Sequence, residues 1–219
     1  SNPSGMAYTE DELKAIGKVL LKHPHVYIAT DDMYEYILWN DQPFCNLVMT
    51  TPELYDRTVV LTGVSKSYSM TGWRIGYAAG PQNVIKAMKK IQSQSTSNPC
   101  SIAQAAAEAA LRGPLDFVDM MVKAFKERHD FVVNALNGMK GVECAEADGT
   151  FYAFPRVQDA MKHLGKQTDT ELAEFLIESA GVAVVPGSAF GSPGYIRLSY
   201  ACSMQNLEKA MDRLGKAFK

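Results

Sequence analysis

Short continuous apolar runs alternate along this chain with stretches whose apolar residues recur at helical spacing. After a Ser1-Asn2-Pro3-Ser4-Gly5 turn, Thr9 and Glu12 stand at capping-box spacing and begin an amphipathic helix to about residue 22. Residues 26–30 (Val-Tyr-Ile-Ala-Thr) form an unbroken apolar run, the pattern of a strand buried on both faces. Residues 58–61 and 75–79 repeat that character. Pro81 opens a helix through about residue 94, and Ser101 opens an alanine-rich helix that ends at Arg112-Gly113-Pro114. An uninterrupted helical pattern then covers 115–139, longer than an average globular helix. Beyond it, extended runs at 142–144, 151–154, 182–185 and 195–200 are interleaved with helices over 168–179 and 204–218. The pattern predicts an α/β layered domain over 1–113, then a bridging helix and a small α+β domain with an antiparallel sheet over 114–219.

Composition narrows the class without choosing a function. Hydrophobic residues make up 47% and charged residues 21% of the 219, as in ordinary globular proteins. The formal charge of −2 gives no reason to expect a nucleic acid or an anionic membrane as partner. No apolar run approaches the roughly 20 residues of a membrane span, and no signal peptide is recognisable. Cys45, Cys100, Cys144 and Cys202 are far apart and lack metal or redox spacing, so free thiols are expected, three of them buried, in a reducing, cytoplasmic setting. The four histidines form no ligand cluster, and surface or capping roles are the default for them. No metal site is expected.

Chemistry enters with Ser65-Lys66-Ser67-Tyr68-Ser69-Met70-Thr71-Gly72-Trp73-Arg74-Ile75-Gly76, a turn between two apolar runs. A lysine at a strand end, shielded by Tyr68, Met70 and Trp73, has reason to lose its proton, because desolvation favours the neutral amine. A neutral amine attacks an aldehyde to form a Schiff base. Arg74, across the turn, offers a planar fork suited to a phosphate. Pyridoxal 5'-phosphate (PLP) carries both an aldehyde and a phosphate. A lone lysine is ordinarily a solvated surface charge; the length of this stretch and its partners elsewhere raise Lys66 above that default.

The stretch resembles the lysine motif of the fold-type I, class I aminotransferases, the aspartate and aromatic aminotransferases among them, and the resemblance extends over nearly the whole chain. Asp31-Asp32-Met33-Tyr34 matches the family's Asp-x-x-Tyr motif, and Asn2-Pro3-Ser4-Gly5 its Asn-Pro-Thr-Gly turn, with Ser for Thr. Ile196-Arg197-Leu198-Ser199-Tyr200-Ala201 contains its Arg-Leu-Ser-Tyr-Ala strand. The resemblance implies that Lys66 carries PLP and shuttles the substrate proton, that Asp31 pairs with the pyridinium nitrogen, and that Tyr34 and Asn2 bond the ring's phenolate oxygen. It further implies that Ser65 and Arg74 hold the phosphate, and that Arg197, with Asn2 beside it, binds the α-carboxylate. Each residue also has a plainer reading. Asp31 would serve as a turn cap, Asn2 as an ordinary turn residue and Arg197 as half of a structural ion pair. Gly149-Thr150-Phe151-Tyr152 and Pro186-Gly187-Ser188-Ala189-Phe190-Gly191 match two further family segments on the substrate side, but equally fit common turns. Gly63 departs from members that carry a serine there. Trp73 is expected to be packed.

By the same resemblance the chain answers to the C-terminal half or more of the family's length, so its fold class is that of a partial PLP-dependent transferase. It would hold part of the large domain, with a mixed, mostly parallel sheet, and the small C-terminal domain. The activity implied is amino transfer between an amino acid, aspartate or an aromatic one, and a 2-oxo acid, in a homodimer. A PLP-dependent lyase or synthase of the same fold is the alternative, as is an inactive fragment that associates through its exposed sheet edge.

Overall fold

The computed structural model describes residues 1–40 and 42–219. The described residues form two compact units, one of Tyr8–Met120 and one of Ser1–Ala7 with Met121–Lys219. No described helix is long and apolar enough to cross a membrane.

In the first unit, helix α1 (Glu10–Leu21) starts as its sequence dictates. The Thr9 hydroxyl accepts from the Glu12 amide and the Glu12 carboxylate accepts from the Thr9 amide, forming a complete capping box. Beyond its far end Arg57 donates to the carbonyl of Leu20 in the last turn and to those of His23 and Val26 in the segment that follows, tying the helix exit to the chain that leads into the sheet. Strands β1 (Ile28–Asp31), β2 (Thr58–Gly63) and β3 (Gly76–Ala79) form a mixed sheet in the order β1-β2-β3. β1 runs parallel to β2, with Asp31 opposite Leu61, and β3 runs antiparallel, with Gly76 opposite Gly63. Two short elements between β1 and β2 were not foreshadowed by the pattern: α2 (Leu47–Thr50), capped by the Asn46 side chain, and a 3-10 turn at Pro52–Arg57. Helices α3 (Gln82–Ser95) and α4 (Ser101–Arg112) follow.

The expectation that 26–30 is buried on both faces does not hold. Along β1, half-buried and exposed residues alternate, and Tyr27, outside the strand, is 71% exposed. β3 is mostly exposed, and α3 contains no buried residue. Apolar runs record which faces are made for covering; among the described residues these faces are covered only in part.

The second unit has a denser interior. α5 (Asp116–Asn137), α6 (Gln158–His163), α7 (Asp169–Ala180) and α8 (Met204–Ala217) accompany a small antiparallel sheet, β4 (Tyr152–Ala153), β6 (Ile196–Ser199) and β5 (Val185–Pro186), with β6 in the centre. Leu172, Leu176, Ile196, Tyr200 and Leu214 are fully buried. The run at 142–144 forms only an isolated bridge, Glu143 to Arg156.

Of the cysteines, Cys144 is buried, Cys45 and Cys202 are half-buried and Cys100 is exposed, so one thiol is enclosed where three were expected. His129 departs from its surface default: it is 1% exposed.

Candidate functional site

Sheet topology brings five of the expected residues to one edge of the first unit. Because β1 and β2 are parallel, their carboxyl ends coincide. Because β3 is antiparallel, it begins at that same edge. Asp31 ends β1, and Tyr34 follows in the next turn. Ser65 and Lys66 lie two and three residues beyond the end of β2, and Arg74 lies two residues before β3. This is the edge where open α/β sheets take ligands. The backbone comes unusually close there. A Cβ on Gly63 would stand 2.9 Å from the Ile75 carbonyl and 3.0 Å from the Gly76 Cα, so the backbone as it stands here accommodates only glycine.

The loop that carries Lys66 is held from beneath. Val64, Ile75, Ala103 and Ala107 form a buried cluster, with Tyr68 and Met70 packed against it. The amides of Tyr68 and Met70 both reach the Val64 carbonyl, at 3.3 Å. Ser69 and Arg74 adopt positive φ, 53° and 56°, a conformation uncommon for residues with a side chain and sustained here by the surrounding contacts. Lys66 and Ser65 are half-buried. Arg74 is exposed and spends one N–H on the Thr71 carbonyl, at 2.9 Å, leaving the rest of its fork outward. Trp73 is 45% exposed and does not take the packed role expected of it.

The two adjacent aspartates have separate surroundings. Asp31 is exposed, and its Oδ1 accepts from the Met33 amide at 3.3 Å. Asp32 is half-buried and accepts from Asn46 Nδ2 at 2.8 Å; burial raises its pKa above the ordinary carboxylate value, outweighing that hydrogen bond. Glu35 is likewise raised by burial. Asp31 is therefore the outward-facing carboxylate, and Asp32 braces α2 through its capping residue.

Arg197 and Asn2 meet in the second unit. Arg197 Nη1 donates to Asn2 Oδ1 at 2.7 Å. Asn2 is placed by a clamp on its segment: the Gly5 carbonyl accepts from the amides of Asp148 and Gly149, and Asp148 Oδ2 accepts from the Ala7 amide at 2.8 Å. Gly5, with φ +73°, lies so near that a Cβ would stand 2.6 Å from the Ala147 Cβ. The loop is anchored in turn by buried His129, whose Nε2 accepts from the Ala147 amide at 2.9 Å. No ion pair to Arg197 occurs among the described residues. Its guanidinium lies 4.6 Å from the Tyr152 ring centroid and 4.9 Å from that of Phe190, and its Nε is buried without a partner.

The sequence pattern gave no reason to single out Tyr152, Phe190 or His129. The two glycine-containing segments that hold the rings were visible but looked like common turns. A buried histidine shows no sequence sign apart from its place in the apolar stripe of α5. Chemically, the first set offers an amine, a carboxylate, a phenol, a hydroxyl and a guanidinium, groups suited to a small anionic carbonyl compound. The second offers a cationic fork for a carboxylate.

Comparison with known proteins gives one answer. The model of the family "Aminotransferase class I and II" matches residues 1–214. An aspartate/prephenate aminotransferase of Nitrosomonas europaea is 53% identical over 221 residues, covering 98% of this chain and 56% of that protein. An aspartate aminotransferase of Geobacillus stearothermophilus is 48% identical, covering 99% and 55%. The crystal structure of the aspartate aminotransferase from Rhizobium meliloti superposes with a TM-score of 0.95 at 46% identity, over 100% of this chain and 56% of that one. The aromatic aminotransferase of Pyrococcus horikoshii gives 0.90 at 34% identity, over 98% and 57%. The chain thus spans about half the length of the relatives it matches.

Proposed function

This chain belongs to the class I and II aminotransferase family, and from that premise we propose that the protein is a PLP-dependent aminotransferase. It would move an amino group between aspartate or an aromatic amino acid and a 2-oxo acid, in a homodimer. The observation that carries this reading is the gathering of Asp31, Tyr34, Ser65, Lys66 and Arg74 at one sheet edge, where Gly63 and Gly76 leave the backbone without side chains. The donor set fits the cofactor group by group: an amine for the aldehyde, a carboxylate for the ring nitrogen, a phenol for the phenolate oxygen, and a hydroxyl with a guanidinium for the phosphate.

Bound PLP supplies an electron sink for the pair left when the substrate's Cα–H bond breaks. Around it the chain supplies position and protons. The Lys66 amine would hold the cofactor by its aldehyde carbon; once the substrate's amine displaced it there, the freed amine would carry the proton from the substrate Cα to the cofactor's C4' position. Asp31 keeps a proton on the ring nitrogen through a charge-assisted hydrogen bond. Tyr34 donates toward the phenolate oxygen, and Ser65 and Arg74 bind the phosphate. Arg197 orients the amino acid by its α-carboxylate, with Asn2 fixing one edge of the guanidinium. The aspartate and aromatic names carried by the relatives support the substrate class.

Titrating the purified protein with PLP tests the reading. The expected result is a visible absorption band that Lys66→Ala abolishes, with borohydride reduction fixing the cofactor on the Lys66 peptide. A band that survives in Lys66→Ala, or a label on another lysine, would overturn the lysine assignment.

A further inference from the structure

A charged arginine in the middle of a strand needs compensation when no ligand is present. An acidic partner would provide it and would then compete with any incoming carboxylate. Arg197 has no such partner among the described residues; it lies between two aromatic faces. Tyr152 reaches it through strand register: Tyr152 stands opposite Ser199 on β6, and Ser199 shares a face with Arg197 two residues away, so the ring lies diagonally across the guanidinium. Phe190 comes from the other side, at the end of the 3-10 turn Gly187–Phe190 that follows β5. That ring is itself fixed: Phe154 meets it edge-on at 6.1 Å and stacks on Tyr195 at 5.0 Å with 17° between the planes.

We propose that Tyr152 and Phe190 are positioning residues that bracket Arg197, holding its guanidinium in plane while leaving donors free for a carboxylate. Ring faces attract the cation through their quadrupoles, yet they occupy none of the in-plane N–H groups that form a bidentate pair. Asn2 takes one donor. The Nε is buried without a hydrogen-bond partner among the described residues. Rings also limit tilting of the fork and access of water to its faces. The inference rests on the reading of Arg197 as the carboxylate site.

Two measurements on the purified protein keep the inference separate from that reading. The first is solvent exchange of the Arg197 Nε–Hε proton by NMR without ligand; the second is the affinity for succinate, followed by the same resonance. Phe190→Leu and Tyr152→Leu are each expected to speed the exchange and weaken succinate binding about tenfold, while Phe190→Tyr, which keeps the ring, stays within about twofold of the parent. Phe190→Met, of similar length but without a π face, replaces any leucine variant that fails to fold. Parent-like exchange and affinity in the ring-deleted variants would overturn the bracket. If Arg197→Lys binds succinate as tightly as the parent, or if the parent resonance does not respond to succinate, the carboxylate reading is what fails. The ligand-free exchange rates still decide the bracket in that case.

Discussion

Cys100 and Cys144 occupy opposite electrostatic surroundings. Cys100 is exposed just ahead of α4, where the amides of Ala103 and Ile102 stabilise its thiolate and lower its pKa below the ordinary 9.0. Burial pushes the Cys144 thiol up to about 11. Iodoacetamide at about pH 8 should therefore modify Cys100 first and Cys144 last, as peptide mass spectrometry would show. Asp32 makes a second prediction. Its folded-state pKa is raised above the ordinary 3.8 by burial, so its contribution to stability is complete below that value and is lost as pH rises through the raised one. Asp32→Asn removes the charge and keeps an acceptor for Asn46. It should stabilise the fold at pH 7 by about 0.5 kcal/mol, a figure discounted for solvent screening of a half-exposed group. The gain should vanish near pH 3, where both side chains are neutral, as paired thermal melts can check. The surroundings of Cys144 and Asp32 cannot be read from their sequence neighbours, since each depends on which elements come to lie over it, whereas those of Cys100 come from amides two and three residues on.

At the scale of elements, two glycines within helices should respond to alanine with opposite sign. Gly215, in α8, has nothing within 4 Å of a would-be Cβ, so Gly215→Ala should stabilise by about 0.5–1 kcal/mol through backbone entropy. Gly17 in α1 is buried, and a Cβ there would overlap the Thr51 side chain. Gly17→Ala should destabilise by about 1–2 kcal/mol in urea unfolding, because overpacking exceeds the gain in helix propensity. The long helices were legible for reasons that can be named: Thr9 and Glu12 cap α1, Thr168 caps α7, and Gly181, at φ +63°, ends it. α2 and α6 were not, because four and six residues are too few to show a helical period. β4 and β5 have two residues each, and such strands exist only through their pairing with β6.

For the whole chain, the uneven distribution of buried residues should appear in hydrogen exchange. α3 buries none of its residues and leaves Ile91 70% exposed, whereas α8 buries Leu207, Met211 and Leu214. Amides of α3 should exchange at least about a hundredfold faster than those of α8; equal protection would mean that α3 is covered in solution. The grouping of Asp31 and Lys66 at the proposed cofactor edge was legible because Asp31 ends one strand and Lys66 closely follows another, and strand ends follow from apolar runs. The aromatic bracket was not, because residues 152, 190 and 197 meet only through register in the small sheet. The same holds for His129, which accepts from the Ala147 amide from inside the α5 stripe. Through loop 147–150 and the Gly5 carbonyl it sets where Asn2 stands. His129→Phe, which preserves bulk and removes the acceptor, should loosen succinate binding with every ligand-facing side chain intact, as calorimetric titration would register. A screen that ranks positions by distance from the ligand would file His129 as inert filler, and would misread its failures as ordinary misfolding.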